Sequence, residues 1–494
     1  MTLALARCLD DPQALLAELR HHGRRGALLG LAVAEECQAL RQAVLGGATP
    51  SVDAFPAFPA QPGSSEADAV AGPCLPPLQS AEVWEAMAMA RQADAIQDLL
   101  AAWGPAVVLG SGGSSGGRRW CLQPLRHLEA SAEATATWLA AQGLDPTNCL
   151  HLAALPLHHV SGLLPLIRCE RWGAELRWLP PSLLRRPELL PQACPLPSSR
   201  PVLLSLVPTQ LRRLLACSAA TAWLARCSVI WVGGAALPED LARRARHAGL
   251  PLAPCYGATE TAAMVCALPP GRFLAGEGGC GPPLADVELR LEGRIGAIAL
   301  RTARLSPGWW QAGRLRPFAA ADGWWRSGDA GGWNDQAAVA AASLEVRGRL
   351  DGAIHSGGET VFPEQVRQRL LALIEAARLP VAELLLLAED DLRWGQRLVA
   401  LVRLEGGDCS GGNRMGRGEG PGGSHSPAGM AGQGPGGGSA AAELDHLARV
   451  ARQLPPPQRP SRWLLCPELA PSAAGKWEQG RWRSWLACQP PSRG

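Results

Sequence analysis

The sequence predicts an α/β protein. A large unit of layered α/β sheets with a β-rich subregion is followed by a small α+β unit. Three observations carry this. From residue 107 onward, short apolar runs alternate with stretches of helical periodicity, the pattern of strands and helices packed on a shared sheet. The segments 284–291 and 296–301 then read as strands with no helix between them. Past residue 352 a helix and two apolar strands form a second, shorter series, so the domains divide as 1–350 and 351–494.

Taken in order, residues 1–50 read as helical, with Leu/Ala periodicity over 12–20 and 35–44. Residues 50–80, rich in Pro, Ala and Ser, read as a linker. Buried strands are predicted at 107–109, 120–122, 150–155, 201–207 and 229–232, and helices at 125–141, 160–171, 210–217 and 238–248. Trp-rich turns are predicted at 307–310 and 323–325. In the second unit, residues 363–376 form a helix with Pro363 in its first turn. Strands follow at 381–388 and 398–404. The Gly-rich insert 406–439 cannot bury a core and is expected to be disordered. A helix at 443–453, a short strand at 463–466, a loop carrying Lys476 and a final short helix complete the chain.

Composition narrows the function classes. With 47% hydrophobic and 18% charged residues, large cores can form and wholesale disorder is excluded. A net charge of +3 gives no reason to expect a nucleic-acid or anionic-membrane partner. The 15 cysteines are scattered with no C-x-x-C pair, which argues against zinc or a disulfide scaffold and for reduced thiols in a cytoplasm. The N-terminus lacks a signal-peptide layout, and the apolar runs 27–34 and 381–388 are too short for a bilayer. One lysine stands among 47 basic residues, and there is one tyrosine. A compact ammonium retained where arginine has otherwise taken over is a candidate for phosphate or leaving-group chemistry.

Five motifs carry candidate chemistry. GSGGSSGGRR at 110–119 follows a strand; its glycines let backbone N–H groups close on an anion, and Ser111, Ser114 and Ser115 add donors. It is a phosphate cradle or a surface loop. YGATE at 256–260 puts an aromatic, a hydroxyl and a carboxylate at a strand end, where open α/β sheets bind ligands. Tyr256 can stack a base, Thr259 can donate to a phosphate and Glu260 suits Mg²⁺; an ordinary turn is the alternative. Ser327-Gly328-Asp329 reads as a tight turn whose carboxylate suits ribose hydroxyls. GRLDGAIHSGGETVFPE at 348–364 sits at the junction of the two units, with Arg349, a hinge candidate at Asp351, and Gly357 and Gly358. PSAAGK at 471–476 carries the lone lysine. His158 and His159 read as core or pocket-lining groups, because no Cys or Asp stands at ligand spacing.

Together and in this order, from about residue 107 to 477, these motifs resemble the adenylate-forming superfamily of acyl-CoA synthetases, luciferases and adenylation domains. The resemblance implies that Ser111, Gly113, Ser114, Ser115, Gly116 and Arg119 hold the ATP phosphates. The family's loop usually ends in Pro-Lys, and here it ends in Arg118-Arg119, which keeps the charge and changes its shape. Gly233, Gly234 and Ala235 match the adenine-flanking turn, and Tyr256 and Gly257 the aromatic-Gly-x-Thr-Glu motif. Thr259 belongs to the same motif, with Glu260 as Mg²⁺ ligand. Asp329 matches the ribose aspartate, Arg349 the ribose/phosphate arginine, Asp351 the hinge and Lys476 the adenylation lysine. PLHHVSGL at 156–163, SLVPTQLRRLL at 205–215 and HSGGETVFPEQV at 355–366 are similar to o-succinylbenzoate–CoA ligases of menaquinone and phylloquinone synthesis.

The resemblance implies ATP, Mg²⁺ and coenzyme A acting on a small carboxylic acid, with no nucleic-acid partner and no membrane insertion. The small unit would swing about Asp351 to deliver Lys476, with Gly357 and Gly358 then facing CoA. The acyl pocket would lie near His159, 205–210 and 233–236, with Arg212 or Arg213 answering a second carboxylate. A ligase for another aryl or fatty acid, a carrier-loading adenylation domain and an inactive scaffold remain alternatives. Oligomeric state is left open.

Overall fold

The computed structural model describes residues 4–6, 9–24, 28–45, 101–111, 119–311, 313–317, 319–320, 322–334, 342–405, 437–471 and 477–490. The expected linker 50–80, the phosphate-loop residues Gly113, Ser114, Ser115, Gly116 and Arg118, and Lys476 lie outside the described residues.

Four sheets form the scaffold. In the central one, strands Glu175–Trp178, Leu150–Ala153, Val202–Leu206, Val229–Val232 and Leu252–Ala258 run parallel in that spatial order. Ala263–Ala267 adds an antiparallel edge by folding back on Leu252–Ala258. The three middle parallel strands are apolar almost throughout because helices cover both faces. One face packs on helices Leu125–Ala140 and Val160–Trp172, the other on Pro208–Leu215 and Glu239–His247.

The predicted strand at 107–109 is Ala106–Ser111, and it belongs to a different sheet. That sheet runs Ala4–Leu5, Leu28–Leu31, Ala106–Ser111, Arg119–Pro124, Trp309–Gln311 and Arg314–Arg316. Two expectations change here. The first 50 residues are not all helical: Leu28–Leu31 is a fully buried strand between helices Pro12–Arg24 and Cys37–Leu45. A short apolar run buried on both faces fits either element by periodicity alone. The Trp-rich segment at 307–310 is also not just a turn, since Trp309 and Trp310 pair with Cys121 and Trp120.

A third sheet, Glu288–Glu292, Ala297–Arg301, Trp325–Trp333 and Leu344–Arg349, is antiparallel. It contains Ser327–Asp329, expected in a tight turn. Gly328 is left-handed (φ 78°) within the strand, so a turn-like glycine signal and a strand coexist.

The fourth sheet has its own core. Gly395–Leu404 pairs with Val381–Asp391 over ten positions and with Arg462–Leu465 in parallel. Helices Pro363–Ala376 and Gly437–Val450 cover one face, and Gln479–Ala487, through Trp482 and Leu486, covers the other. Residues 406–436 of the Gly-rich insert lie outside the described residues, while 437–439, expected inside it, begin a helix. Among the described residues no helix is long and apolar enough to cross a membrane.

Candidate functional site

The strand Leu252–Ala258 delivers the central groups. Tyr256 and Gly257 lie in its last turns, and Thr259–Thr261 makes one 3₁₀ turn immediately after it. Gly257 is obligatory, because a Cβ there would stand 2.1 Å from the Ala263 carbonyl oxygen of the returning strand.

Glu260 is buried, at 8% exposure. Ser111 Oγ donates to its Oε1 at 3.0 Å and Trp309 Nε1 donates to the same oxygen at 2.9 Å. Both donors are neutral and both fall on one oxygen. Among the described residues no arginine or histidine pairs with this carboxylate. A buried carboxylate needs a compensating charge. A divalent cation would meet that need. No group of three His, Cys, Asp or Glu side chains stands close enough to cage a metal among the described residues. A single buried carboxylate of this kind fits Mg²⁺, which takes one or two carboxylates and completes its shell with phosphate and water. The Thr259 carbonyl accepts from Gln123 Nε2, which fixes the backbone just ahead of Glu260.

Asp329 is brought to the same strand end from the third sheet. Tyr256 Oη donates to its Oδ2 at 2.6 Å. Arg349, its cross-strand partner, reaches Oδ1 at 3.4 Å and donates to the Ser327 carbonyl at 2.9 Å. Burial pushes the Asp329 carboxyl up, and the tyrosine hydroxyl and the arginine pull it back. Burial followed by the Asp329 charge raises Tyr256 well above the usual phenol range. Tyr256 is thus a neutral donor, and Asp329 is an oriented acceptor suited to a pair of hydroxyls. Arg349 also reaches both oxygens of Asp351 at 3.3 Å, which ties this cluster to the 3₁₀ turn Leu350–Gly352 at the head of the second unit.

The glycine turn flanks these groups. Gly233 follows the strand Val229–Val232, and a Cβ on it would meet Cys255 Sγ at 2.9 Å. Gly234 is left-handed at φ 79°, so backbone rather than side chains faces the strand ends. Ala235 continues this loop. His159 caps the start of Val160–Trp172, its ring 4.3 Å from that of His158. Arg119 lies with its guanidinium 4.7 Å from the Trp309 ring, at the far side of Glu260's tryptophan donor. Gly357 and Gly358 are both left-handed (φ 59° and 83°), and Gly357 backs onto Trp394. They lie in a hairpin of the second unit.

Four contributing residues were not anticipated. Ser306, Trp309 and Arg304 come from one loop and strand that crosses the Glu260 turn; Ser306 N donates to the Glu260 carbonyl at 2.8 Å. The fourth is Arg168, in the helix Val160–Trp172. It is 4% exposed, its Nε has no hydrogen-bond partner, and no carboxylate pairs with it among the described residues. Its guanidinium lies 5.0 Å from the Trp231 ring. Burial pushes it down to about 10, with neighbouring Cys255 opposing. Beside it His151 is stacked on Trp172 and tilted on Trp231, with neither ring nitrogen partnered. Burial and then the Arg168 charge hold that imidazole well below its usual range, hence neutral. Of the two arginines between which the sequence left the choice open, Arg212 bonds Asp240 at 2.9 Å, and both are exposed, as surface charges would be. A charge directly after the apolar stretch 163–167, one turn ahead of Arg171, was the available signal for Arg168.

Comparison with known proteins gives the family and the fold. The model of the AMP-binding enzyme family matches residues 26–310. The 2-succinylbenzoate–CoA ligase of Salmonella typhimurium is 34% identical over 198 residues, covering 40% of this chain and 39% of its own. That of Enterococcus faecalis is 28% identical over 308 residues, covering 60% and 59%. The chain thus spans about two fifths to three fifths of the length of these curated relatives. In fold it is similar to the o-succinylbenzoate CoA synthetase of Bacillus subtilis in complex with its acyl-adenylate intermediate. The TM-score there is 0.57 at 22% identity, over 76% of this chain and 68% of that one.

Proposed function

Because the chain belongs to the AMP-binding enzyme family, we propose that it is an ATP-dependent acid–CoA ligase that works through an acyl-adenylate, with 2-succinylbenzoate as its acid. The observation that carries the choice of acid is Arg168, a buried cation with no carboxylate partner among the described residues. A substrate bearing a second carboxylate supplies the missing charge, and such charge-assisted pairs are the strong ones. The names of the two relatives support the same acid.

In the first half-reaction the substrate carboxylate attacks the α-phosphorus of ATP, giving the acyl-adenylate and pyrophosphate. In the second, the CoA thiol displaces AMP. The protein supplies positioning and charge rather than covalent chemistry. Asp329 accepts from the ribose hydroxyls while Tyr256 and Arg349 hold it in place. The turn Gly233, Gly234, Ala235 lies along the adenine. Ser111, the loop behind it and Arg119 take the phosphates. Glu260 would hold Mg²⁺, which when bound neutralises phosphate charge. Thr259 orients the phosphates beside it, and His159 borders the acid.

Lys476 is assigned the developing charge at the α-phosphate. A small second domain beginning at 351 would bring it in and then turn about Asp351, so that Gly357 and Gly358 face CoA. The ion pair Arg243–Glu375, 3.2 Å long between the two units, is half exposed and would contribute only about 0–1 kcal/mol, too little to block the turn. The reaction is placed in the cytoplasm, where ATP and CoA are available.

The test is pyrophosphate release with ATP and CoA, comparing 2-succinylbenzoate with benzoate and a medium-chain fatty acid. The proposal requires strong preference for the dicarboxylate. Equal rates with benzoate would overturn it, and turnover without free CoA would point to a carrier-loading enzyme.

A further inference from the structure

Glu260 depends on an awkward piece of backbone. The 3₁₀ turn that presents it is followed by Ala262 and Ala263, both left-handed (φ 50° and 75°). Two successive alanines in that region are unfavourable and persist only where the surroundings over-determine them.

Buried Thr261 holds the pair locally, its hydroxyl 2.7 Å from the Ala263 carbonyl, and one distant side chain clamps it from outside. Arg304 is fully buried, at 0% exposure. One terminal nitrogen donates to the Thr261 carbonyl at 2.6 Å, and the other donates to the Met264 carbonyl at 2.8 Å. Its Nε is paired with Asp286 at 2.6 Å. The guanidinium therefore grips the chain on both sides of the left-handed pair. From the helix Leu125–Ala140, Ser131 Oγ donates to the carbonyl between them, that of Ala262, at 2.6 Å. The same segment then runs on to Glu260 itself, through Ser306 to its backbone and Trp309 to its carboxylate. A planar fork can hold two carbonyls and a carboxylate at once; an ammonium on a flexible stem cannot reproduce that geometry.

We propose that Arg304, aided by Ser131, is a positioning residue that fixes the orientation of Glu260 toward the divalent cation carried by the nucleotide. The inference rests on the ligase reading for the identity of that nucleotide. It does not depend on which acid is used.

The experiment compares wild type with Arg304→Lys and Ser131→Ala. Calorimetry follows a non-hydrolysable ATP analogue binding with and without Mg²⁺, and urea unfolding is run alongside. The expected result is a loss of about 10-fold in the Mg²⁺-dependent part of nucleotide affinity for Arg304→Lys, the effect typical of groups that orient a metal ligand. Ser131→Ala, which removes one hydrogen bond, is expected to lose about 3-fold. Metal-free nucleotide binding stays within about twofold in both, because Asp329 and Tyr256 are untouched. A purely structural role would lower the unfolding midpoint and leave the Mg²⁺ dependence alone. Folded variants with wild-type Mg²⁺ dependence overturn the proposal. If Arg304→Lys does not fold, Ser131→Ala decides on the same criterion. Failure of the ligase reading has a different signature: wild type binds the Mg²⁺–nucleotide and releases no pyrophosphate with any acid.

Discussion

Two buried polar clusters lie close to the strand Leu252–Ala258, and they are built on opposite terms. Around Glu260 and Asp329 each carboxylate has two side-chain donors, Ser111 and Trp309 on one, Tyr256 and Arg349 on the other, although Glu260 takes both on one oxygen. Around Arg168, among the described residues, no such pairing is made. Among the described residues, the guanidinium Nε, both nitrogens of His151 and the indole nitrogens of Trp172 and Trp231 are buried without partners. A satisfied network is rigid before any ligand arrives, while an unsatisfied one costs free energy until something enters to satisfy it. On the proposed reading, the cluster assigned to the nucleotide is the more preorganised one, and the cluster assigned to the acid holds a charge in waiting.

The largest effect belongs to neither cluster. Lys476→Ala should slow adenylate formation by about 100- to 1000-fold, the usual consequence of removing one charge-stabilising group. Thioester formation from supplied adenylate should stay largely intact. Equal loss of both half-reactions would remove the lysine from its assigned role, and Lys476→Arg would separate charge from shape.

A second prediction asks whether every unpartnered buried nitrogen behaves as a ligand site. His127 is buried against Trp103, with Nδ1 unpartnered, and burial followed by the Arg126 charge pushes it down to about 4. Its ordinary value is 6.5, so the folded state favours the neutral ring. The associated stability is complete above pH 6.5 and is lost as the pH falls through about 4. That amounts to about 3 kcal/mol, since each pH unit of displacement is worth about 1.4 kcal/mol. Denaturant midpoints between pH 7 and 4 should fall accordingly, and His127→Leu should flatten the profile with no change in substrate preference. A flat wild-type profile would contradict this.

Within the matched cluster, Tyr256→Phe leaves Asp329 without its closest donor. It should cost about 1–2 kcal/mol of stability and raise the KM for ATP by about 10-fold, with the KM for the acid unchanged. In the unmatched cluster the sign reverses. Arg168→Met removes an uncompensated charge and should leave stability unchanged or raise it by about 1 kcal/mol. Urea unfolding of the two variants side by side tests the contrast, and a destabilised Arg168→Met would dissolve it.

Much of the scaffold was legible because its strands are continuous apolar runs between turn residues. Val202–Leu206 and Val229–Val232 follow this rule. Leu28–Leu31 obeys it too, but its flanking helices made a longer helical reading equally good. Asp329 was assigned to a turn because Ser-Gly-Asp is a turn-like triplet, and only the cross-strand pairing with Arg349 reveals the strand. The residues proposed for the nucleotide stand in compact motifs, and the structure brings Tyr256, Glu260, Asp329 and Arg349 to one strand end. Arg304 was not, because its partners Ser131, Thr261, Met264 and Asp286 lie far from it in sequence and share no local pattern. Arg168 was read as part of an ordinary helix, and its lack of a counter-ion emerges only once the neighbours are in place.

The central claim is that Arg168 reads the second carboxylate. The most direct measurement is the ratio of kcat/KM for 2-succinylbenzoate over benzoate, determined in wild type and in Arg168→Met. Loss of one charge-assisted contact predicts that the ratio falls by about 10- to 100-fold, with kcat/KM for benzoate and the KM for ATP nearly unchanged. A ratio preserved in the variant would contradict the account.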